Sequence, residues 1–303
     1  MTQGLPRRAM LAGAAASITS ALAACAAPGP DGTADFTHLN IPAQRDIPYG
    51  AHPSQRLDVY PAAMPRLGPA PAPRPALVFF HGGFWQFGSR CEAMVETLCS
   101  HLAARGITSI AAGYRLYPET NHAGILEDAA NAVAWATRHG HEHGAARGEV
   151  VAAGWSAGGW MGAMLQVRPQ LVHRALGVTE SDRHPLRGFV GVAGPYGHWP
   201  TRYPLLFSLF EGTTREQRTP NAFVTPNLPP SLLVQGMLDA IVWPPNAIHF
   251  AEDLREAGNP AQLRRYWMRD HMTVMPGMGV LPGSLSLVDD IEGFVKGPVM
   301  RRA

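Results

Sequence analysis

The chain has 303 residues, of which 46% are apolar and only 16% charged. That is ample for a sizeable core in one large domain or two small ones, and it excludes a charged, disordered protein. A formal net charge of +2 supplies no field to hold nucleic acid or an anionic membrane, and three cysteines exclude a disulfide scaffold.

Residues 1–24 read as an export signal. They hold no acid, two cations at Arg7 and Arg8, and an Ala-rich apolar run from Ala9 to Ala24 that is too short for a membrane span. Leu22-Ala23-Ala24-Cys25 resembles the bacterial lipobox, in which the cysteine receives the lipid and becomes the new N-terminus. Arg7-Arg8-Ala9-Met10-Leu11 is similar to a twin-arginine signal, although the preceding Ser or Thr is missing. The expectation is an exported bacterial lipoprotein, periplasmic or anchored to the outer membrane, with lipid on Cys25. An ordinary cleaved signal with an incidental Cys25 is the alternative. Removing residues 1–24 leaves no net formal charge. Residues 25–44 then serve as a tether, flexible over Ala26–Thr33, and residues 45–303 form one domain.

A strand is expected over Gln55–Tyr60, followed by an extended Pro/Ala-rich loop, Pro61–Pro75. Apolar runs then predict buried strands at Ala76–Phe80, Ile107–Ala112, Val150–Ala153, Gly188–Ala193 and Ser231–Val234, with a last strand at Leu263–Met268. Helices are expected between them at Glu92–Ala104, Ile125–Arg138, Ala157–Val167 and Pro245–Ala257. In the second, Ile125, Ala129, Ala132, Val133 and Ala136 share one face. Strand–helix alternation with all-apolar strands implies an α/β fold: a mostly parallel sheet covered on both faces. Residues 195–230, rich in Pro and aromatics, interrupt the alternation as a long loop or small cap. Cys91 and Cys99 are eight apart in a helical stretch, roughly 12 Å of rise. That is too far for a bridge between them, and both are expected to be buried and inert, although an exported compartment would permit a disulfide.

Gly154-Trp155-Ser156-Ala157-Gly158 follows a strand and opens a helix, the context that a G-x-S-x-G elbow requires. The glycines allow a sharp turn that lifts the Ser156 hydroxyl above the sheet and leaves the first helical amides facing whatever the serine attacks. A plain helix cap needs no glycine on both sides. His81-Gly82-Gly83-Phe84-Trp85 follows the strand Ala76–Phe80. The amides of Gly82 and Gly83, with that of Ala157, are candidates for an oxyanion hole. His81 is read as a structural hydrogen-bonder holding that loop.

HGGFW, then Gly113–Glu119 (GYRLYPE), then Gly154–Gly159 (GWSAGG) resemble the α/β-hydrolase superfamily, in its esterase/lipase branch with an HGG-type oxyanion loop. The pattern is similar to kynurenine formamidases and to feruloyl- and acetyl-esterase-like proteins, and covers about residues 45–297. Phe84 and Trp155 depart from the HGGG and GDSAGG of the hormone-sensitive-lipase branch. The superfamily order of Ser, acid, His implies Asp239, in the G-x-x-D-x-x-V segment Gly236–Val242, and His271 after the last strand. Met272 stands where Phe is commoner. Asp253 and Glu252 lie in the following helix as a solvated face, and His249, mid-helix, is a packed rival to His271. Glu119 and Asp128 are expected to brace loops.

The resemblance thus implies a Ser156–His271–Asp239 hydrolase of carboxylic esters that works through an acyl-enzyme and requires no metal or cofactor. Phe84, Trp85, Trp155 and Tyr196 are candidate pocket residues. Tyr196, with Trp199, Tyr203, Phe207 and Phe210, either lines the pocket or packs within the cap. His139-Gly140-His141-Glu142-His143 has metal-ligand types but no distant partner, and Gly277-Met278-Gly279 lacks the strand that a dinucleotide loop needs. The expected partner is a small ester, with no nucleic acid, and a membrane only through the anchor. Arylformamidase is the alternative activity, against which an export signal weighs. A non-catalytic hydrolase-like binder is a further alternative, disfavoured by the intact triad.

Overall fold

The structure, a computed structural model, describes residues 43–63, 72–179, 183–197, 208–276 and 286–297. The export signal, Cys25, most of the tether, Trp199, Tyr203, Phe207 and Gly277-Met278-Gly279 lie outside them.

Eight strands form a single sheet: β1 (Gln44–Pro48), β2 (Arg56–Tyr60), β3 (Arg74–Phe80), β4 (Ser109–Ala112), β5 (Ala145–Trp155), β6 (Gly188–Val192), β7 (Ser231–Gly236) and β8 (Ala261–Tyr266), in the order β1-β2-β4-β3-β5-β6-β7-β8. The first two pairings, β1 with β2 and β2 with β4, are antiparallel, and every later one is parallel. The helices are α1 (Ala93–Ala104), α2 (His122–His139), α3 (Ala157–Val167), α4 (Gln170–Leu176), the single turn α5 (Arg215–Arg218), α6 (Pro245–Glu256) and α7 (Ser286–Lys296).

The all-apolar strands are explained by burial on both faces, with alternate side chains entering two cores. Val78, Phe80 and Ile110 pack with Ile125, Ala129 and Val133 of α2, Met161 and Met164 of α3, and Phe250 of α6. Leu77, Phe79 and Ala111 point the other way, against Val95, Leu98 and Leu102 of α1 and Leu287, Val288 and Ile291 of α7. Asn121 caps α2 by accepting from the amides of Ala123 and Gly124, so the helix starts three residues before the expected Ile125.

Other boundaries differ for identifiable reasons. Arg74 and Pro75 belong to β3 rather than to the preceding loop. The strand β8 ends at Tyr266, because Arg269 closes a turn onto the Tyr266 carbonyl. Trp267 and Met268, read as the end of the last strand, sit on that turn 67% and 75% exposed. In the 195–230 insertion, the described residues hold α5 and a short 3-10 turn at Pro220–Phe223. Cys99 is free and buried. Cys91 is disulfide-bonded rather than an inert thiol, as an exported compartment permits.

Candidate active site

The carboxyl ends of parallel strands gather their loops into one crevice. Here β3 delivers His81–Gly83, β5 delivers Ser156, and the loops after β7 and β8 deliver Asp239 and His271.

Ser156 sits at φ +54° and ψ −117°, between the last residue of β5 and the first of α3. Such a conformation is sparsely populated for a residue with a side chain and has to be enforced by its surroundings. The enforcement is steric and hydrogen-bonded. A first side-chain carbon at Gly154 would lie 2.3 Å from the Gly158 backbone, and one at Gly158 would lie 2.0 Å from the Phe80 carbonyl oxygen. The Ser156 amide donates to the Val192 carbonyl at 2.8 Å, which ties the turn to β6.

Ser156 Oγ is 2.9 Å from His271 Nε2, and His271 Nδ1 is 2.7 Å from Asp239 Oδ2. All three residues are buried. Asp239 is held by donors on both oxygens: Oδ1 receives the amides of Ile241 and Val242 at 2.9 and 2.8 Å, and Oδ2 also receives Gln235 Nε2 at 3.1 Å. The loops that carry Asp239 and His271 are stitched together, with the Met237 amide donating to the Tyr266 carbonyl and the Leu238 amide to the Arg269 carbonyl. Gly236 makes this approach possible, since a side chain there would meet the Arg269 and Asp270 carbonyl oxygens within 2.7 Å.

The HGG loop lies against the serine. A side chain on Gly82 would place its first carbon 3.2 Å from Ser156 Cβ. Gly83 adopts φ +109° and its carbonyl accepts from the amides of Gln86 and Phe87. Among the described residues the amides of Gly82, Gly83 and Ala157 have no acceptor. His81 is buried, stacks on Tyr114 with centroids 4.3 Å apart, and directs Nδ1 at the Gly82 carbonyl at 2.7 Å. Burial holds its pKa down to about 4, so the ring is neutral at pH 7 and its Nδ1–H donates to that carbonyl. The Tyr114 hydroxyl donates to the His81 carbonyl at 3.0 Å.

The remaining expected site residues fall elsewhere. Tyr196, expected in the pocket, is fully buried in the core, stacked on Phe250 at 4.7 Å and edge-on to Phe189. Trp85 likewise packs inward, edge-on to Trp160 and to Phe210. Trp155 is 5% exposed and lies against His271. Of the four pocket candidates, only Phe84 is partly exposed. His249 is mid-helix as expected, but on the exposed side of α6 rather than packed. Asp128 does brace loops, binding Arg115 and the Gln55 amide, whereas Glu119 lies on the surface. Around His139–His143 the rings of His139 and His143 pack on Trp135, and among the described residues no three potential ligands converge. Gln235 escapes the sequence reading. Its one signal is a lone amide directly after the apolar run Leu232–Val234 of β7.

Residues 77–176 match a family described as alpha/beta hydrolase fold. Thermogutta terrifontis esterase 2 phosphoramylated by tabun aligns with a TM-score of 0.67 at 27% identity, over 84% of this chain and 96% of its own. The butyrate-bound form of that esterase gives 0.65 at 25% identity, over 84% and 94%. The fold is therefore the α/β-hydrolase fold. Esterase LipC of Mycobacterium tuberculosis is 30% identical over 233 residues, which is 72% of this chain and 56% of LipC. Kynurenine formamidase of Danio rerio is 36% identical over 75 residues, 24% of this chain and 23% of that enzyme. The chain thus spans little more than half of LipC's length.

Proposed function

We propose that this protein is a serine hydrolase of carboxylic esters with small to medium acyl groups. The observation that carries the reading is the unbroken hydrogen-bonded chain from Ser156 through His271 to Asp239. In this reading His271 Nε2 takes the Ser156 proton as Oγ attacks the acyl carbonyl. Asp239 fixes the imidazole tautomer and stabilises the cation that forms. The developing oxyanion sits among the amides of Gly82, Gly83 and Ala157, which have no acceptor of their own among the described residues. His271 then protonates the leaving alcohol, and water, activated by the same imidazole, releases the acid from the acyl-enzyme. Similarity to LipC and to an esterase with a butyrate-bound form supports ester over other acyl substrates. A fluorophosphonate probe is expected to label the wild type and not Ser156→Ala, and p-nitrophenyl acetate is expected to be hydrolysed only by the former. An unlabelled, inactive wild type would refute the reading.

The match to a kynurenine formamidase favours a second reading, arylformamidase, on the same machinery. The ratio of kcat/KM on N-formylkynurenine to that on p-nitrophenyl acetate decides between them. Acyl esters of graded length then define the pocket.

We also propose export with lipid on Cys25, on the strength of Leu22–Cys25 and the basic start. A lipid thioether uses the sulfur that a disulfide needs. Non-reducing mass analysis therefore separates a diacylglyceryl group on Cys25 from a bridge to Cys91 and from a mature chain that starts elsewhere.

A further inference from the structure

Trp155 stands between the glycines of the elbow, at the end of β5, where it pairs with Val192. Its indole Nε1–H donates to the main-chain carbonyl of His271 at 3.0 Å, across 116 residues of chain. Its ring lies 5.2 Å from the imidazole centroid, tilted by 36°. On the other side it abuts the HGG loop: a side chain on Gly82 would place its first carbon 2.5 Å from the indole ring. One side chain, rooted next to the nucleophile, therefore touches both the base and the oxyanion loop.

We infer that Trp155 is a positioning residue that sets His271 and the Gly82 amide relative to Ser156. The inference rests on the proposed hydrolase reading. Packing alone would not explain the contact, because Phe or Leu could fill an apolar space there. A buried indole N–H needs an acceptor, and the one it takes is the carbonyl of the base itself. Asp239 and Ser156 hold the imidazole by its two nitrogens, and among the described residues the other restraints on the main chain of this loop act on neighbouring residues. Asp270 accepts from the amides of Met272 and Thr273, and the Arg269 carbonyl accepts from Leu238. Among the described residues, the indole bond is what ties the His271 main chain to the nucleophile's own strand. A base free to swing loses the 2.9 Å approach to Ser156 Oγ, and a misplacement of about 1 Å is costly in rate.

Trp155→Phe keeps a ring and removes the N–H. For the loss of one such bond, kcat on p-nitrophenyl acetate is expected to fall about tenfold, with KM within twofold of the wild type. The low-field proton resonance of His271 Nδ1–H is expected to exchange faster with solvent. A structural role alone would lower the melting temperature without moving either readout. Trp155→Leu, which also loses the ring against Gly82, is expected to lose a further factor in kcat. Unchanged kcat and unchanged proton exchange in Trp155→Phe would overturn the inference. Should the wild type hydrolyse no ester, the hydrolase reading fails instead, and the exchange rate still tests whether Trp155 holds the imidazole.

Discussion

Gln235 Nε2 lies 3.1 Å from Asp239 Oδ2, the same oxygen that faces His271 Nδ1. Gln235 is fully buried at the end of β7, and its Nε2 also lies within hydrogen-bond distance of the Gly236 and Val242 carbonyls, at 3.1 and 3.2 Å. The amide orientation follows from charge, since the reversed side chain would set its carbonyl oxygen against a carboxylate. The outcome is a clamp across both ends of the loop that carries Asp239, which leaves Gln235 Oε1 without a partner among the described residues.

Gln235→Leu tests the clamp. It fills a similar volume but leaves the carboxylate one donor short and takes from the Val242 carbonyl its side-chain donor, whereas the Gly236 carbonyl keeps the Asp239 amide. An orphaned buried group costs about 1–3 kcal/mol. We expect a lower denaturation midpoint together with a fall in kcat of about tenfold, as Asp239 gains freedom to turn away from the imidazole. Steady-state kinetics and urea unfolding on the same preparation measure both. An active variant of wild-type stability would remove Gln235 from the account.

How well each part could be read from the sequence tracks how local its cause is. The elbow is legible because Gly154 and Gly158 are demanded by contacts that any side chain would violate. Ser156 and the strand–helix context around it follow from that. Asp239 and His271 are readable only through the superfamily order, since nothing local marks them. Gln235 is missed because the strand reading stops at Val234, and a polar residue at a strand end looks like the start of a loop. Trp267 and Met268 mislead in the opposite sense: their apolarity suggests burial, but the turn onto Tyr266 leaves them outside. The edge strand β1 carries exposed polar residues and has no apolar run to read. The spacing of Leu287, Val288, Ile291 and Phe294 in α7 is helical, yet only the fold shows that α1 and the sheet wait to receive it. Tyr196 and Trp85 look like pocket aromatics in sequence and are core aromatics in space, a difference that only tertiary packing decides.

The close approach at Gly158 gives a second prediction. In Gly158→Ala the added carbon would meet the Phe80 carbonyl oxygen at 2.0 Å and the His81 carbonyl oxygen at 2.7 Å, and neither can rotate away because both are backbone. Relief requires α3 to move off β3. We expect a loss of about 3 kcal/mol or more, a fall of about 10 °C in melting temperature, or failure to fold. Gly148→Ala is the control. Gly148 also has positive φ, +72°, but nothing lies within 4 Å of the added carbon. That change is expected to cost about 1 kcal/mol from backbone preference alone. Similar melting temperatures for the two variants would mean that the elbow has slack that the contacts do not reveal.

His81 supplies the pH dependence. Burial is the main cause of its depressed pKa. The Arg90 charge adds to it, and the bond to the Gly82 carbonyl opposes it. With about 4 in the folded chain against 6.5 unfolded, the unfolded chain binds the extra proton first as pH falls. Stability linked to His81 is therefore intact above pH 6.5 and is lost progressively down to about pH 4. The difference between the two values corresponds to about 3 kcal/mol. Glu92 works in the opposite sense: burial raises its pKa from 4.5 to about 7, so its contribution is present at low pH and is lost as pH rises through that range. The two slopes partly cancel in the wild type, and the His81 effect has to be read as a difference. His81→Asn retains a donor near the Nδ1 position and removes the titration, while Glu92 is common to both proteins. Unfolding free energies at pH 7 and pH 4 are expected to show the wild type losing about 3 kcal/mol relative to His81→Asn. Parallel pH curves would mean that the imidazole is not desolvated as the stacking on Tyr114 and the closed HGG loop require.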